Sequence, residues 1–111
     1  MKLWIDDVRP APEGYVWCKS VNQARKTIRF IDEAYIEGFG VISSVDEPDI
    51  ELIDIDHDAG DYASDGGDYI KLLDWLEETG RNYPIRIHSQ NVVGRENMLR
   101  ICKKNNWTIL D

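Results

Sequence analysis

The stretch that decides the fold is residues 50–61, IELIDIDHDAGD, where an apolar run meets a cluster of acids and a histidine. A continuous, isoleucine-rich run of this length predicts a strand buried on both faces, as found in parallel sheets. In open parallel sheets, ligands bind beyond the carboxyl ends of the strands. We therefore expect the chemistry of this protein at the end of this strand.

Outward from this strand, the chain alternates between strands and helices. Helical spacing of apolar residues, with Ser20 as N-cap, predicts a first helix over residues 21–36. Gly38 and Gly40 are expected to end it, and residues 41–49 are expected to be a loop or frayed strand. The remaining patterns predict strands over 2–5, 15–18, 84–87 and 107–110 and helices over 69–78 and 95–105.

The resulting order, β-β-α-β-α-β-α-β, specifies a doubly wound, mostly parallel five-stranded sheet. One helix is missing between the first two strands, because the prolines and glycine between Asp7 and Gly14 forbid it. The polar, glycine-rich stretch 58–68 is expected to be a mobile lid over the strand ends.

The size and charge of the chain limit what it can be. With 111 residues it is expected to be one domain, residues 1–111. The net charge of -8 argues against binding to duplex nucleic acid, which needs a basic footprint. No apolar stretch is long enough for a signal peptide or a membrane span, so we expect a cytoplasmic protein. Cys18 and Cys102 are expected to be buried free thiols.

Three predicted strands end in polar groups, and this arrangement resembles a response-regulator receiver domain. Receivers have a flavodoxin-like fold with an acidic pair after the first strand, an Asp after the third and a Ser or Thr after the fourth. The chain departs from them in its proline loop and in lacking a Lys after the last strand, since Lys103 and Lys104 precede it. The matching groups are Asp6-Asp7, Asp56-His57-Asp58 and His88-Ser89.

A more specific resemblance is to the receiver-like group known as cyclic-phosphate processing receiver domains. Three segments carry it: LWIDDVRPAP (3–12), DHDAGD (56–61) and IHSQNVVGREN (87–97). The resemblance implies a phosphoesterase-type domain that processes a cyclic phosphate on a nucleotide or RNA-derived substrate. The alternative is a degenerate receiver that acts as a phosphoacceptor or as a signalling or interaction module.

The only two histidines, His57 and His88, both follow predicted strands at the same edge of the sheet. Two imidazoles on either side of one phosphate suit the opening of a phosphodiester, one as base and one as acid. Asp56 and Asp58 would orient these rings and raise their pKa. We expect these four residues to be catalytic.

Three carboxylates, Asp6, Asp7 and Asp56, are expected to converge at the same edge. Like charges in one pocket need a proton or a cation to relieve them, and hard oxygen ligands fit Mg²⁺ or Mn²⁺. The receiver resemblance implies that such a trio holds the metal and that Asp56 takes the phosphoryl group. Counting from Pro48 selects Asp54 instead, but we prefer Asp56 because Asp54 precedes Ile55 and is expected to lie within the strand.

Donors for a small phosphate-containing substrate are expected on two segments. Free N–H groups at a helix start attract phosphate oxygens, and an arginine forms two-pronged contacts to phosphate. Trp17, on a short strand, is a candidate for stacking on a base, although a core role is the simpler interpretation. The expected substrate-binding residues are Arg9, Ser89, Asn91, Gly94 and Arg95.

Overall fold

The computed structural model describes residues 1–36 and 50–111, and the side chains of residues 1–32 and 50–111. The expectations for Gly38, Gly40 and residues 41–49 lie outside the described residues. None of the described helices is long and apolar enough to cross a membrane. The elements are strands β1 (Lys2–Ile5), β2 (Tyr15–Cys18), β3 (Leu52–Ile55), β4 (Ile85–Ile87) and β5 (Ile109–Leu110), and helices α1 (Val21–Ile36), α2 (Ile70–Glu78) and α3 (Val92–Lys104).

The five strands form one parallel sheet in the order β2-β1-β3-β4-β5, which confirms the predicted flavodoxin-like arrangement. The bounds of α3 differ from the prediction, because the helix begins at Val92 rather than at residue 95. Asn91 caps it by accepting a hydrogen bond from the backbone N–H of Gly94. Gly94 therefore lies inside the first turn of the helix, although its residue type suggested a boundary.

All three described helices pack on the same face of the sheet. The connections β2–β3, β3–β4 and β4–β5 run in one direction across the sheet, and right-handed crossovers then place their helices on one side. Strand side chains of this helix-covered face join the helix residues in a single buried cluster. Those strand residues are Leu3, Ile5, Cys18, Ile53, Ile55, Ile85 and Ile87.

The opposite face carries no helix among the described residues, and we call it the open face. Trp17, Trp4, Asp54 and Arg86 lie in one row across four neighbouring strands of this face. The connection that would cover it, between β1 and β2, is the loop over residues 6–14 instead of a helix. A hydrogen bond holds this loop against the sheet, because Trp4 Nε1 donates to the carbonyl of Arg9 (2.8 Å).

The stretch 58–68 does not fit the expectation of a mobile lid. It forms a short 3-10 helix (Gly60–Ser64) and is hydrogen-bonded to the start of α1. Ser20 Oγ donates to Asp65 Oδ2 (2.6 Å), and Asn22 Nδ2 donates to Asp65 Oδ1 (3.1 Å). Ala59 at its beginning is fully buried. The side chains of Asp65 and Asp68 thus hold this stretch against the start of α1 and against its own backbone, although most of its polar residues remain exposed.

Candidate functional site

The carboxyl ends of β1, β3 and β4 meet at one edge and bring Asp6, Asp56 and His88 together. The ladder continues one residue past these strands, since Asp56 N–H donates to Ile5 O (2.9 Å) and His88 N–H donates to Ile55 O (3.0 Å). One ligand atom from each of the three side chains lies within 4.8 Å of the other two. We call Asp6, Asp7 and Asp56 the acidic pocket.

Asp6 is fully buried and its carboxylate is well satisfied. Oδ1 accepts hydrogen bonds from the backbone N–H groups of Val8 (3.0 Å) and Arg9 (2.9 Å). Oδ2 lies 2.9 Å from Nε2 of His88. Burial alone would raise the pKa of Asp6, but the hydrogen bonds from Arg9 and Val8 and the contact with His88 outweigh it and lower the pKa.

His88 lies between two carboxylates. Its Nδ1 is 2.7 Å from Asp54 Oδ1 and its Nε2 is 2.9 Å from Asp6 Oδ2, while its ring stacks on Trp4 with centroids 4.0 Å apart. Burial alone would lower the pKa of His88, yet the hydrogen bonds with Asp54 and Asp6 outweigh it and raise the pKa. Each ring nitrogen has a carboxylate oxygen at hydrogen-bond distance, and the protonated form of the ring can donate to both. His88 supplies a positive charge to the pocket, and neither nitrogen is free to transfer a proton to a substrate.

Asp54 lies within β3 and is 3% exposed, whereas Asp56 follows the strand and belongs to the acid cluster at its end. Besides His88, Asp54 contacts Arg86 Nη1 at 3.4 Å. It therefore acts as the partner of two cations on the open face.

His57 has a different environment, on the side of the sheet that α3 covers. Its Nδ1 lies 2.8 Å from Asp58 Oδ1, and Asn91 Nδ2 is close to both groups. The ring packs on the backbone of Gly94, where a Cβ atom would lie 2.5 Å from Cγ and Cδ2 of the imidazole. Among the described residues, Nε2 of His57 has no hydrogen-bond partner, so one nitrogen of this ring is available for proton transfer.

The two histidines are not brought to one position. In a strand, successive side chains point to opposite faces. His88 is in line with Asp56 and lies on the open face against Trp4, whereas His57 is one residue further and lies against α3. A mechanism in which both rings flank one phosphate does not fit this arrangement. The sequence placed both rings at the correct edge but did not resolve the face.

Asp7 completes the acidic pocket without joining the set of atoms within 4.8 Å. Burial raises its pKa, and the neighbouring charges of Asp6 and Asp56 raise it further. Gly60, with φ +54°, allows the chain to pass directly over the Asp7 carboxylate, which a Cβ atom there would displace. The crowded carboxylates fit a divalent cation such as Mg²⁺ or Mn²⁺. Asp6 already accepts three hydrogen bonds, which reduces its capacity to bind such a cation.

The expected phosphate-binding residues divide into two groups. Arg9 Nη1 donates to the carbonyl of His88 (3.2 Å) and Arg95 Nη1 donates to the carbonyl of Ile87 (2.8 Å), so both guanidinium groups lie beside the end of β4. Ser89 and Asn91 instead organise the start of α3, where Ser89 Oγ accepts from Asn91 N–H (3.1 Å). Gly94 was expected to allow a phosphate to approach the start of the helix, but the His57 ring packs against it and its N–H donates to Asn91 Oδ1 (2.9 Å).

The lysine that receivers place near the acceptor has no counterpart in α3. Because α3 runs back along the sheet, its C-terminal residues Lys103 and Lys104 lie at the end away from the acidic pocket. Lys104 Nζ pairs there with Glu77 at 3.4 Å. Within the described residues, the cation that contacts the acidic pocket at hydrogen-bond distance is His88.

Comparison with known protein families gives a match over most of the chain. The family described as "Cyclic-phosphate processing Receiver domain" matches residues 1–104, which include all the site residues described above. No curated protein and no solved structure matches the chain.

Proposed function

Since the chain belongs to the cyclic-phosphate processing receiver family, we propose that it is a phosphoesterase that opens a cyclic phosphate on a nucleotide or at an RNA end. The observation that supports this most is the pair formed by Asp58 and His57. A carboxylate at Nδ1 fixes the orientation of the imidazole and leaves the lone pair on Nε2, which is the arrangement required of a general base.

In this mechanism His57 handles the proton. Nε2 takes a proton from the attacking water as the oxygen of that water bonds to phosphorus. The bond between phosphorus and one ribose oxygen breaks on the side opposite the attacking water; that oxygen takes a proton from solvent, and Nε2 releases its proton to solvent. The imidazole ring of His57 ends the cycle in its starting protonation state, and the product is a phosphate monoester. Asp58 and Asn91 hold the ring, and Gly94 provides the space in which it lies.

The phosphate is proposed to lie at the carboxyl ends of β3 and β4, between His57 and the acidic pocket. Arg9 and Arg95 each use one N–H on a backbone carbonyl, which leaves further N–H groups of both guanidiniums for phosphate oxygens. A divalent cation on Asp7 and Asp56 would neutralise the phosphate and polarise its P–O bonds. His88 offsets the charge of Asp6 and Asp54, so the pocket has its own positive group.

The test is turnover of adenosine 2′,3′-cyclic phosphate, followed by ³¹P NMR, with and without Mg²⁺ or Mn²⁺. His57→Gln should lower the rate by about 10²-fold or more, because general acid–base catalysis contributes about 10²–10⁴-fold. Glu78→Gln, at the end of α2, is the control and should leave the rate unchanged. Equal rates for the His57→Gln variant and the unmodified protein would refute the role of His57.

The alternative is a phosphoacceptor, and the position of Asp56 favours it. Asp56 follows β3 and lies beside Asp6, as the acceptor of a receiver does. This proposal predicts that beryllofluoride with Mg²⁺ binds at Asp56 and that Asp56→Asn abolishes the binding. Beryllofluoride binding without cyclic-phosphate turnover would favour the signalling role over the hydrolytic one.

A further inference from the structure

The open face of the sheet presents aromatic rings next to the acidic pocket. Trp17 and Trp4 are partners in the β2–β1 register, and Tyr15 packs edge-on against Trp4 with centroids 5.9 Å apart. All three side chains are partly exposed. A helix-free sheet face with aromatic side chains is a surface on which unpaired bases stack in RNA-binding domains.

These rings are connected directly to the site. Trp17 Nε1 donates to the carbonyl of Asp6 (2.7 Å), and Trp4 stacks on His88. Trp17 lies on the strand next to Trp4, in register with it, and Asp6 follows Trp4 by two residues along the chain. The separation between the Trp17 ring and the pocket is thus on the order of 5–10 Å, from strand spacing and rise. This span suits a ligand that has a phosphate at one end and a base at the other.

Cations line the same face although the chain as a whole carries a net charge of -8. The ammonium group of Lys19 lies 4.6 Å from the centroid of the Trp17 ring, and that of Lys2 lies 5.6 Å from the centroid of Tyr15. The two ammonium groups beside the rings therefore favour an anion that carries an aromatic group, and the negative net charge disfavours a second copy of this chain.

We infer that the open face binds the base of a nucleoside phosphate by stacking on Trp17. The base takes the position over the indole that the Lys19 ammonium occupies in the free protein, and the flexible ammonium moves beside the phosphate. This inference rests on the proposed function for the position of the phosphate. The ligand is either a free nucleoside cyclic phosphate or the last nucleotide of a single-stranded RNA.

The test measures binding by calorimetry with three probes: adenosine 2′,3′-cyclic phosphate, methyl riboside 2′,3′-cyclic phosphate, which has no base, and a short oligoribonucleotide with a 2′,3′-cyclic end. Trp17→Leu should weaken binding of adenosine 2′,3′-cyclic phosphate by about fivefold or more, because one base stack contributes at least about that much. Binding of the baseless probe should not change. Trp17→Phe should lose less affinity, and Phe30→Leu, on α1 and 73% exposed, should lose none.

Each result separates the possibilities. If the unmodified protein binds the baseless probe as tightly as the adenosine probe, or if Trp17→Leu weakens both equally, the base site is refuted and the phosphate site stands. If no probe binds, the proposed function fails and the inference fails with it. An effect on the oligoribonucleotide alone supports stacking and identifies an RNA end as the ligand.

Two further measurements cover a Trp17→Leu variant that does not fold and an open face that is covered by a second copy of the chain. If Trp17→Leu does not fold, the unmodified protein must still bind adenosine cyclic phosphate more tightly than uridine cyclic phosphate, since the larger purine stacks better; the reverse order would overturn the inference. Sedimentation should show the same monomer for the unmodified protein and for Trp17→Phe. A dimer that Trp17→Phe dissociates would mean that a second copy covers the open face, and would refute a nucleotide site.

Discussion

Replacing Gly94 by alanine should disable His57 without removing any group that the proposed mechanism uses. The new Cβ atom would lie 2.5 Å from Cγ and Cδ2 of the imidazole and 2.8 Å from Nδ1. Ordinary carbon contacts are about 3.5–4.0 Å, so the ring must move by about 1 Å. The contact of Nδ1 with Asp58, now 2.8 Å, cannot survive such a shift unchanged.

The cost to stability should be small compared with the cost to catalysis. Inserting a methyl group into a packed contact costs about 1–3 kcal/mol, and alanine recovers about 1 kcal/mol of helix propensity over glycine. We thus expect the free energy of unfolding to fall by about 0–2 kcal/mol. A displacement of about 1 Å in a catalytic group can lower a rate by about 10²-fold, and we expect a loss of that size.

Three measurements on Gly94→Ala check this reasoning: turnover of adenosine 2′,3′-cyclic phosphate, urea unfolding, and ¹⁵N NMR of the His57 ring. The NMR signal of Nδ1 should change because its contact with Asp58 is lost. Val93→Ala, in the same turn and 68% exposed, is the matched control and should change neither signal nor rate. A folded Gly94→Ala protein with an unaltered His57 spectrum and full turnover would refute the proposed role of this contact.

Three other outcomes follow from the two histidine environments. Asp54→Ala should lower the free energy of unfolding by about 2–4 kcal/mol in urea titrations, because it removes one partner of the buried His88 imidazolium; a loss below about 1 kcal/mol would contradict this pairing. Since the pKa of His88 is raised in the folded protein, its stabilising effect should be complete below pH 6.5 and disappear as pH rises through the folded value. The urea midpoint should decline over that interval, and His88→Gln should remove the decline. Asp58→Asn should slow turnover about tenfold or more, because Asp58 orients the His57 ring. The urea midpoint should stay constant, because Asp58 is 62% exposed. A fall in the urea midpoint together with the turnover rate would indicate a structural role for Asp58.

The sequence was sufficient for the fold because two independent signals agreed. The apolar run that ends at Ile55 and the alternation of strands with helices both specified a parallel sheet, and the structure has that sheet. The positions of Asp6, Asp56 and His88 at one edge follow from the same reasoning, since parallel strands end together. Asp54 within the strand was also expected, and it is 3% exposed.

What the sequence did not supply was the face on which each side chain lies. His57 and His88 differ by one residue in their distance past the ends of β3 and β4, and this offset places them on opposite faces of the sheet. The offset depends on the register between β3 and β4, which no local pattern encodes. The tight packing of His57 on Gly94 likewise depends on where α3 begins, and its start was predicted three residues too late.

The missing first helix and the charge of His88 have a common physical consequence. In a sheet covered by helices on both faces, the position of Asp54 would be occupied by an apolar residue. Here a loop follows β1, no helix of the described residues covers the open face, and Asp54 lies buried in the middle of the sheet. A buried carboxylate is unfavourable unless it is paired, and both Arg86 and His88 pair with it. Since His88 also binds Asp6, the cation that stabilises the open face is the same one that neutralises part of the acidic pocket. Its two contacts explain why His88 should contribute to stability, whereas His57, with one nitrogen unpaired among the described residues, is the residue on which turnover should depend.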